Sequence, residues 1–216
     1  SVRVDAEPGF VAAPSGSSSQ VACSPVSYEP DSGATSFIYA TPGHFVDGSG
    51  ATSQESCQLG EYQPSTARQS CMTADIGYYV DSIGSSSQTK CLPGKFNPDE
   101  ASTTVEACID AEPGFYVETT TSGAGSQTPC SAGTYQSAYG MTECTEAEEG
   151  YFVDTTEATS PTPCNAGTYQ PSTGQVGCLD AGDGHYVAGT GQSDHTPCPV
   201  GTYQPNVGST ICEDAD

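Results

Sequence analysis

Tryptophan is absent from this 216-residue sequence, and large aliphatic side chains are scarce: Leu, Ile, Val and Phe together number 28. At about 13% of the chain, that supply cannot fill the continuous core of a globular domain, and beside a large net charge it would ordinarily mark disorder. Basic residues are nearly absent too. Arg3, Arg68, Lys90 and Lys95 stand against 27 acidic residues, for a formal net charge of −23. No cationic footprint exists, so nucleic acid and anionic membrane surfaces are excluded as partners. There is no apolar run of membrane-spanning length and no signal peptide; no membrane insertion is expected in this segment, which reads as a mature or excised piece with any export signal upstream. Helix is disfavoured throughout, because no apolar period of 3.6 survives ten residues without Gly, Pro, Ser or Thr.

Cysteine is what the chain does have. Eleven are present, with three histidines and no CxxC pair, which favours a disulfide framework over zinc or thioredoxin-like chemistry. From Cys57 the intervals to Cys71, Cys91, Cys108, Cys130, Cys144, Cys164, Cys178, Cys198 and Cys212 are 14, 20, 17, 22, 14, 20, 14, 20 and 14 residues, so a two-cysteine unit of 34 residues recurs. A unit this small cannot bury its own apolar face, and fixed-period self-similarity is the signature of a stacked array. A disulfide closing such a loop contributes roughly 3 kcal/mol, which substitutes for missing burial. The compartment is oxidising, and the expected location is extracellular or at the cell surface.

The first half of each unit reads CQLGEYQPSTARQSC at Cys57, CSAGTYQSAYGMTEC at Cys130, CNAGTYQPSTGQVGC at Cys164 and CPVGTYQPNVGSTIC at Cys198. The second half places an alanine three residues after the cysteine and a glycine six after it, followed by an aromatic or His pair: Tyr78 and Tyr79, Phe115 and Tyr116, Tyr151 and Phe152, His185 and Tyr186. Both GTYQP and GYYV predict short strands, one ring of each pair facing inward. The fold class is therefore mainly β, with small disulfide-rich tandem repeats stacked in an elongated array. Repeat boundaries fall at 1–22 (partial), 23–56 (lacking its second Cys), 57–90, 91–129 (with insertions), 130–163, 164–197 and 198–216 (partial).

The pattern breaks near the start. Cys23 occupies a first-cysteine slot, but Phe37 stands where its partner is due, and Arg3 holds the corresponding slot one repeat earlier. Two pairings are open. Within the shorter loop, Cys57 joins Cys71, Cys91 joins Cys108, Cys130 joins Cys144, Cys164 joins Cys178 and Cys198 joins Cys212, leaving only Cys23 unpaired. Pairing across the longer loop strands Cys23, Cys57 and Cys212, so the first scheme is preferred. The two ends of the sequence share one phase of the repeat, as units following one another head to tail would, and copies of the chain itself are the expected partner.

The string CxxGxY…C resembles the first cysteine loop of tumour-necrosis-factor-receptor repeats and of ephrin-receptor-like cysteine-rich repeats. The likeness covers the first half of each unit, and it implies that each loop is closed by its own two cysteines. GTYQPSTGQ combined with DAxxGYYV and SQTPC is similar to long extracellular repeat arrays of environmental microbes, which implies an extended secreted array. The receptor repeats carry further cysteines, so no ligand-binding residue transfers.

No converging constellation for catalysis is visible: there is no GxSxG, HExxH, phosphate-binding loop or 12-residue calcium loop. The chain is expected not to be an enzyme and to need no cofactor. His44 and His185 take the place of packing rings, and His195 is expected in solvent. Acidic residues recur beside the second cysteine (Asp110 and Glu112, Glu146 and Glu148, Asp180 and Asp183, Asp214 and Asp216), a pattern open to weak calcium binding. Ser and Thr number 52, with no N-linked sequon. Their tracts are compositionally like O-glycosylated stalks, with candidates Thr119, Thr120, Thr121, Thr155, Thr156 and Thr159. The reading is an extracellular structural repeat protein of a filament, sheath or stalk, against a receptor or adhesin ectodomain that binds a protein or glycan.

Overall fold

A computed structural model of the chain describes residues 5–13, 19–118 and 123–215. Within these, the protein is built from two-strand antiparallel hairpins, most with strands of two residues: Ser27–Tyr28 with Ile38–Tyr39, His44–Phe45 with Glu55–Ser56, Glu61–Tyr62 with Met72–Thr73, and so on to Thr202–Tyr203 with Glu213–Asp214. The sequence-predicted strands are the first strand of each hairpin. The returning strands lie just after the second cysteine or just before the next first cysteine. Among the described residues helix is confined to one 3-10 turn, Val105–Ala107, in the stretched loop before Cys108. Both members of an aromatic pair, such as Tyr78 and Tyr79, are half-buried rather than one in and one out.

Each hairpin is entered through the same turn. In Glu7-Pro8-Gly9-Phe10 the Phe10 amide donates to the Glu7 carbonyl, and Gly9 sits at φ +83°. This is the backbone of a type II turn, which favours Pro at its second position and needs positive φ at its third. One residue ahead of the turn stands a small, buried side chain, alternately Ala and Cys: Ala6, Cys23, Ala40, Cys57, Ala74 and Cys91 are each at most 5% exposed. These positions are 17 residues apart. The 34-residue sequence unit is thus two hairpins of the same build, one carrying Cys in the slot and the next Ala.

Among the described residues, four main-chain hydrogen bonds tie each hairpin to the next, with three of the four described for the hairpin that begins at Cys91, and they recur at the same positions. Between the hairpins that begin at Ala40 and Cys57, Gly43 N–H donates to Gln63 O, Val46 N–H to Arg68 O, Cys57 N–H to Gly43 O and Ala67 N–H to Ala40 O, at 2.8–3.0 Å. Between those at Ala147 and Cys164 the set is Gly150 to Gln170 O, Val153 to Gln175 O, Cys164 to Gly150 O and Gly174 to Ala147 O, at 2.8–2.9 Å. Backbone pairing does the work that a side-chain core does in a larger domain, since buried N–H and C=O groups must find partners.

The described residues fall into two compact units. The first takes the chain to Cys91 with Asn97–Ile109 and residues 123–125; the second takes Leu92–Phe96, residues 110–118 and residues 126–215. In the first, the one apolar cluster of buried side chains is Tyr62, Ala74 and Val80. In the second, the buried side chains are again the slot residues, such as Ala111, Cys130, Ala147, Cys164 and Ala181, with Val117, Val153 and Val187.

Candidate functional site

The unit of chemistry here is the tip of each hairpin and what fastens it. Tips of Cys-slot hairpins are closed by Cys57–Cys71, Cys91–Cys108, Cys130–Cys144, Cys164–Cys178 and Cys198–Cys212, with Cα–Cα distances of 5.6–5.8 Å. Six residues after the first cysteine of four of these loops lies a glutamine, Gln63, Gln136, Gln170 or Gln204, buried to 4–6% exposure. Its Oε1 accepts from the amide two residues on, and its Nε2 donates to the carbonyl just before the second cysteine. For Gln170 the partners are Ser172 N–H at 3.2 Å and Gly177 O at 2.7 Å. Gln63, Gln136 and Gln204 repeat both bonds. In the stretched loop Asn97 is too short to span it, and donates instead to Tyr78 O and Ser102 Oγ while accepting from Asp99 N–H.

Ala-slot hairpins lack the disulfide and use a different amide. Gln54 Oε1 accepts from Thr41 N–H at 2.8 Å, Gln88 Oε1 from Asp75 N–H at 2.7 Å and Gln127 Oε1 from Glu112 N–H at 2.8 Å. These are the glutamines of SQESC, SQTKC and SQTPC, so the recurring SQ motif closes the base of the hairpin. The corresponding positions in later repeats hold Pro161 and His195. His195, expected in solvent, is half-buried: its ring stacks on His185 at 4.1 Å between centroids and meets Tyr169 at 4.6 Å, and its Nδ1 is buried with no hydrogen-bond partner. His185 packs as expected, with Nδ1 2.9 Å from Asp183 O, and His44 Nδ1 lies near Thr41 Oγ1 and Pro42 O.

The Cys-slot hairpin of the interrupted unit departs from the rest at its cysteine pair, its loop amide and its turn glycine, while Gln54 keeps the bond of the Ala-slot hairpin. Cys23 is a free thiol, fully buried. Burial pushes it above the ordinary thiol value, and the Glu29 carboxylate adds to the rise. Glu29 occupies the glutamine position; it still accepts from Asp31 N–H at 3.0 Å but, once ionised, has no proton to donate to the far side of the loop. Val26 occupies the turn glycine's position at φ +85°, backbone that a β-branched residue adopts only under strain. Phe37 stands where the second cysteine is due and is half-buried.

Among the acidic candidates, Asp110 pairs with Lys95 Nζ at 2.7 Å and Glu146 accepts from Thr173 Oγ1 at 2.9 Å. No group of three His, Cys, Asp or Glu positioned to hold a metal occurs among the described residues. Thr155, Thr156 and Thr159 are exposed on one tip, between Tyr151–Phe152 and Thr162–Pro163. Thr119, Thr120 and Thr121, like Arg3, lie outside the described residues. No helix is long and apolar enough to cross a membrane among the described residues.

No protein-family profile matches the chain, and no curated protein is similar to it at a significant level. What the geometry itself establishes is a mainly β, disulfide-rich tandem repeat of small hairpins, the construction of extracellular repeat proteins that fold in an oxidising compartment.

Proposed function

We propose that the protein is a non-catalytic structural component outside the cell, a filament, sheath or stalk, carrying O-linked glycans on its exposed hydroxyl tracts and associating head to tail with copies of itself. The observation that supports this most is the four-bond step between hairpins, repeated with the same partners from one hairpin to the next. A scaffold needs one interface used many times, whereas a recognition site needs a place that differs. Repeat proteins of this logic gain stability from nearest-neighbour terms and add length without adding core. A surface of net charge −23 keeps such assemblies from clumping, and any calcium bound by it acts as a weak bridge between carboxylates rather than as a cofactor. Electron microscopy of the purified chain over a concentration series is expected to show thin fibres with a regular axial step. Isolated particles at every concentration would sink the structural reading.

The second reading, a receptor or adhesin ectodomain, is favoured by one observation: the changes at Cys23, Val26, Glu29 and Phe37 all fall in a single unit.

A further inference from the structure

A groove of about 500 Å³ opens in the first compact unit between Val26 and the tip formed by residues 63–70. It falls where the turn lacks its glycine, although the main-chain step is kept. At Gly9, Gly43 and Gly60 the turn glycine lies against the carbonyl of a tip two hairpins on (Gly50, Gly84 and Ala101), and any Cβ there would overlap that carbonyl. Glycine is what lets the tip close down on the turn. At the one described turn position with a side chain, Val26, the facing tip is 63–70, and Val26 forms a wall of the groove. The same tip carries Arg68, whose guanidinium has no ion-pair or hydrogen-bond partner among the described residues, in a chain with only four basic residues. Around it stand Ser65 and Gln69, whose side chains are likewise unpartnered there, and apolar Pro64 and Met72. No other repeat places a cation at this tip position; the equivalents in the other Cys-slot hairpins are Ala34, Ser102, Met141, Gln175 and Ser209.

We propose that this groove binds a small sugar bearing a single carboxylate, of the hexuronate class, with Arg68 holding the carboxylate and Ser65 and Gln69 the ring hydroxyls. Three observations select that chemistry. The lone guanidinium matches one carboxylate in a bidentate pair, which an amide or hydroxyl does not provide. Net charge of −23 opposes any polyanion, so the ligand carries one charge rather than many. Hydroxyl and amide groups beside a short apolar wall suit a sugar ring with its polar edge and less polar face, and the volume lies within the range of small-molecule sites, about 300–1,000 Å³. The site is independent of fibre formation.

The test is a backbone-amide NMR titration of the full chain with sodium galacturonate, galactose and acetate, each at low ionic strength. Galacturonate is expected to shift the amides of Val26 and residues 63–72, with affinity about tenfold above either of the others. R68Q, an exposed change, is expected to lose about tenfold in affinity without altering the rest of the spectrum. V26G restores the repeat's glycine and should keep the fold while closing the groove, again weakening binding about tenfold. Acetate binding as tightly as galacturonate, shifts confined to other residues, no shifts at all, or wild-type affinity in either variant would each overturn the assignment.

Discussion

Gln170 offers the sharpest probe of how a tip is held. Its side chain is 5% exposed and joins the two sides of the Cys164–Cys178 loop, accepting from Ser172 N–H and donating to Gly177 O. Gln170→Ala removes both bonds while leaving the disulfide. A net intramolecular hydrogen bond is worth about 0.5–1.5 kcal/mol, and a stranded buried group costs more. Ser172 is exposed, so water rehydrates its amide, whereas the Gly177 carbonyl is half-buried. A local loss of about 1–2 kcal/mol follows, which is roughly a 5- to 30-fold faster exchange of the Ser172 amide. Native-state hydrogen exchange is the right assay, because a repeat array need not unfold in one step. Gln170→Glu separates the two bonds. It keeps the acceptor for Ser172 but faces the Gly177 carbonyl with a carboxylate, so the Ser172 amide should stay better protected than in the alanine variant while protection on the Cys178 side of the loop falls. The chain contains that arrangement at Glu29, which accepts from Asp31 N–H. Unchanged Ser172 exchange in Gln170→Ala, or equally fast exchange in both variants, would refute the two-bond clamp.

Two further outcomes follow from the turn and from the buried thiol. Gly133 and Gly201 both sit at φ +90°, but a Cβ at Gly133 would overlap Gly174 O whereas one at Gly201 meets nothing within 4 Å. Gly201→Ala should therefore cost only the left-handed backbone term, about 1–2 kcal/mol, and Gly133→Ala distinctly more, with lost exchange protection at residues 172–177; equal costs would show that the close approach carries no weight. The Cys23 thiol is raised by burial and by Glu29, so the folded state favours the protonated form; its contribution is fully present below the ordinary thiol value, about 8.5, and is lost as pH rises through the higher folded value. Tyr62, raised by burial and then by Asp75, acts in the same direction further into alkali. In urea melts between pH 7 and 10 the wild-type midpoint should fall relative to Cys23→Ala, whose alanine matches the neighbouring slots at Ala6 and Ala40; parallel pH courses would refute the linkage.

Repetition, β content and the division at cysteines could be read from the sequence because CxxGxY and GYYV announce themselves in residue type. The shorter step could not. Cys57 and Ala74 differ chemically, yet both fill the same fully buried slot, where the fold asks only for a small side chain. Gln63 and Val80 likewise share a position, one clamping a loop and the other packing. The recurring glutamine of SQTPC was visible as a letter, but its acceptor role at Glu112 N–H spans 15 residues and exists only once the hairpin is closed. Val26 carries no mark in the sequence, since a valine three residues after Cys23 says nothing until its φ of +85° places it in the turn. His195 is illegible for a related reason: a lone histidine in a Ser- and Gly-rich stretch has the pattern of a solvated side chain, and only the fold brings it onto His185 and Tyr169.

Covalent ties at every second hairpin suffice because the ladder divides its stabilisation by type. A two-strand hairpin of two-residue strands is not stable alone in water, so each depends on the four main-chain bonds to its neighbour. Those bonds need no particular side chain, only a turn residue at positive φ and a small slot residue, which leaves tip residues free to change. A disulfide adds roughly 3 kcal/mol to its own loop and little to the next, since it acts mainly on the unfolded state of the segment it closes. Loss of one tie is then a local event: the hairpins at Ala6, Cys23 and Ala40 keep the backbone step although no disulfide occurs among the described residues before Cys57. A repeat built this way can hold its spacing while one unit drifts, and drift in a single unit is how a uniform ladder acquires a place that differs. The proposed structural role and the proposed site at Arg68 are therefore not rivals, because the first depends on the backbone step and the second on side chains the step does not use.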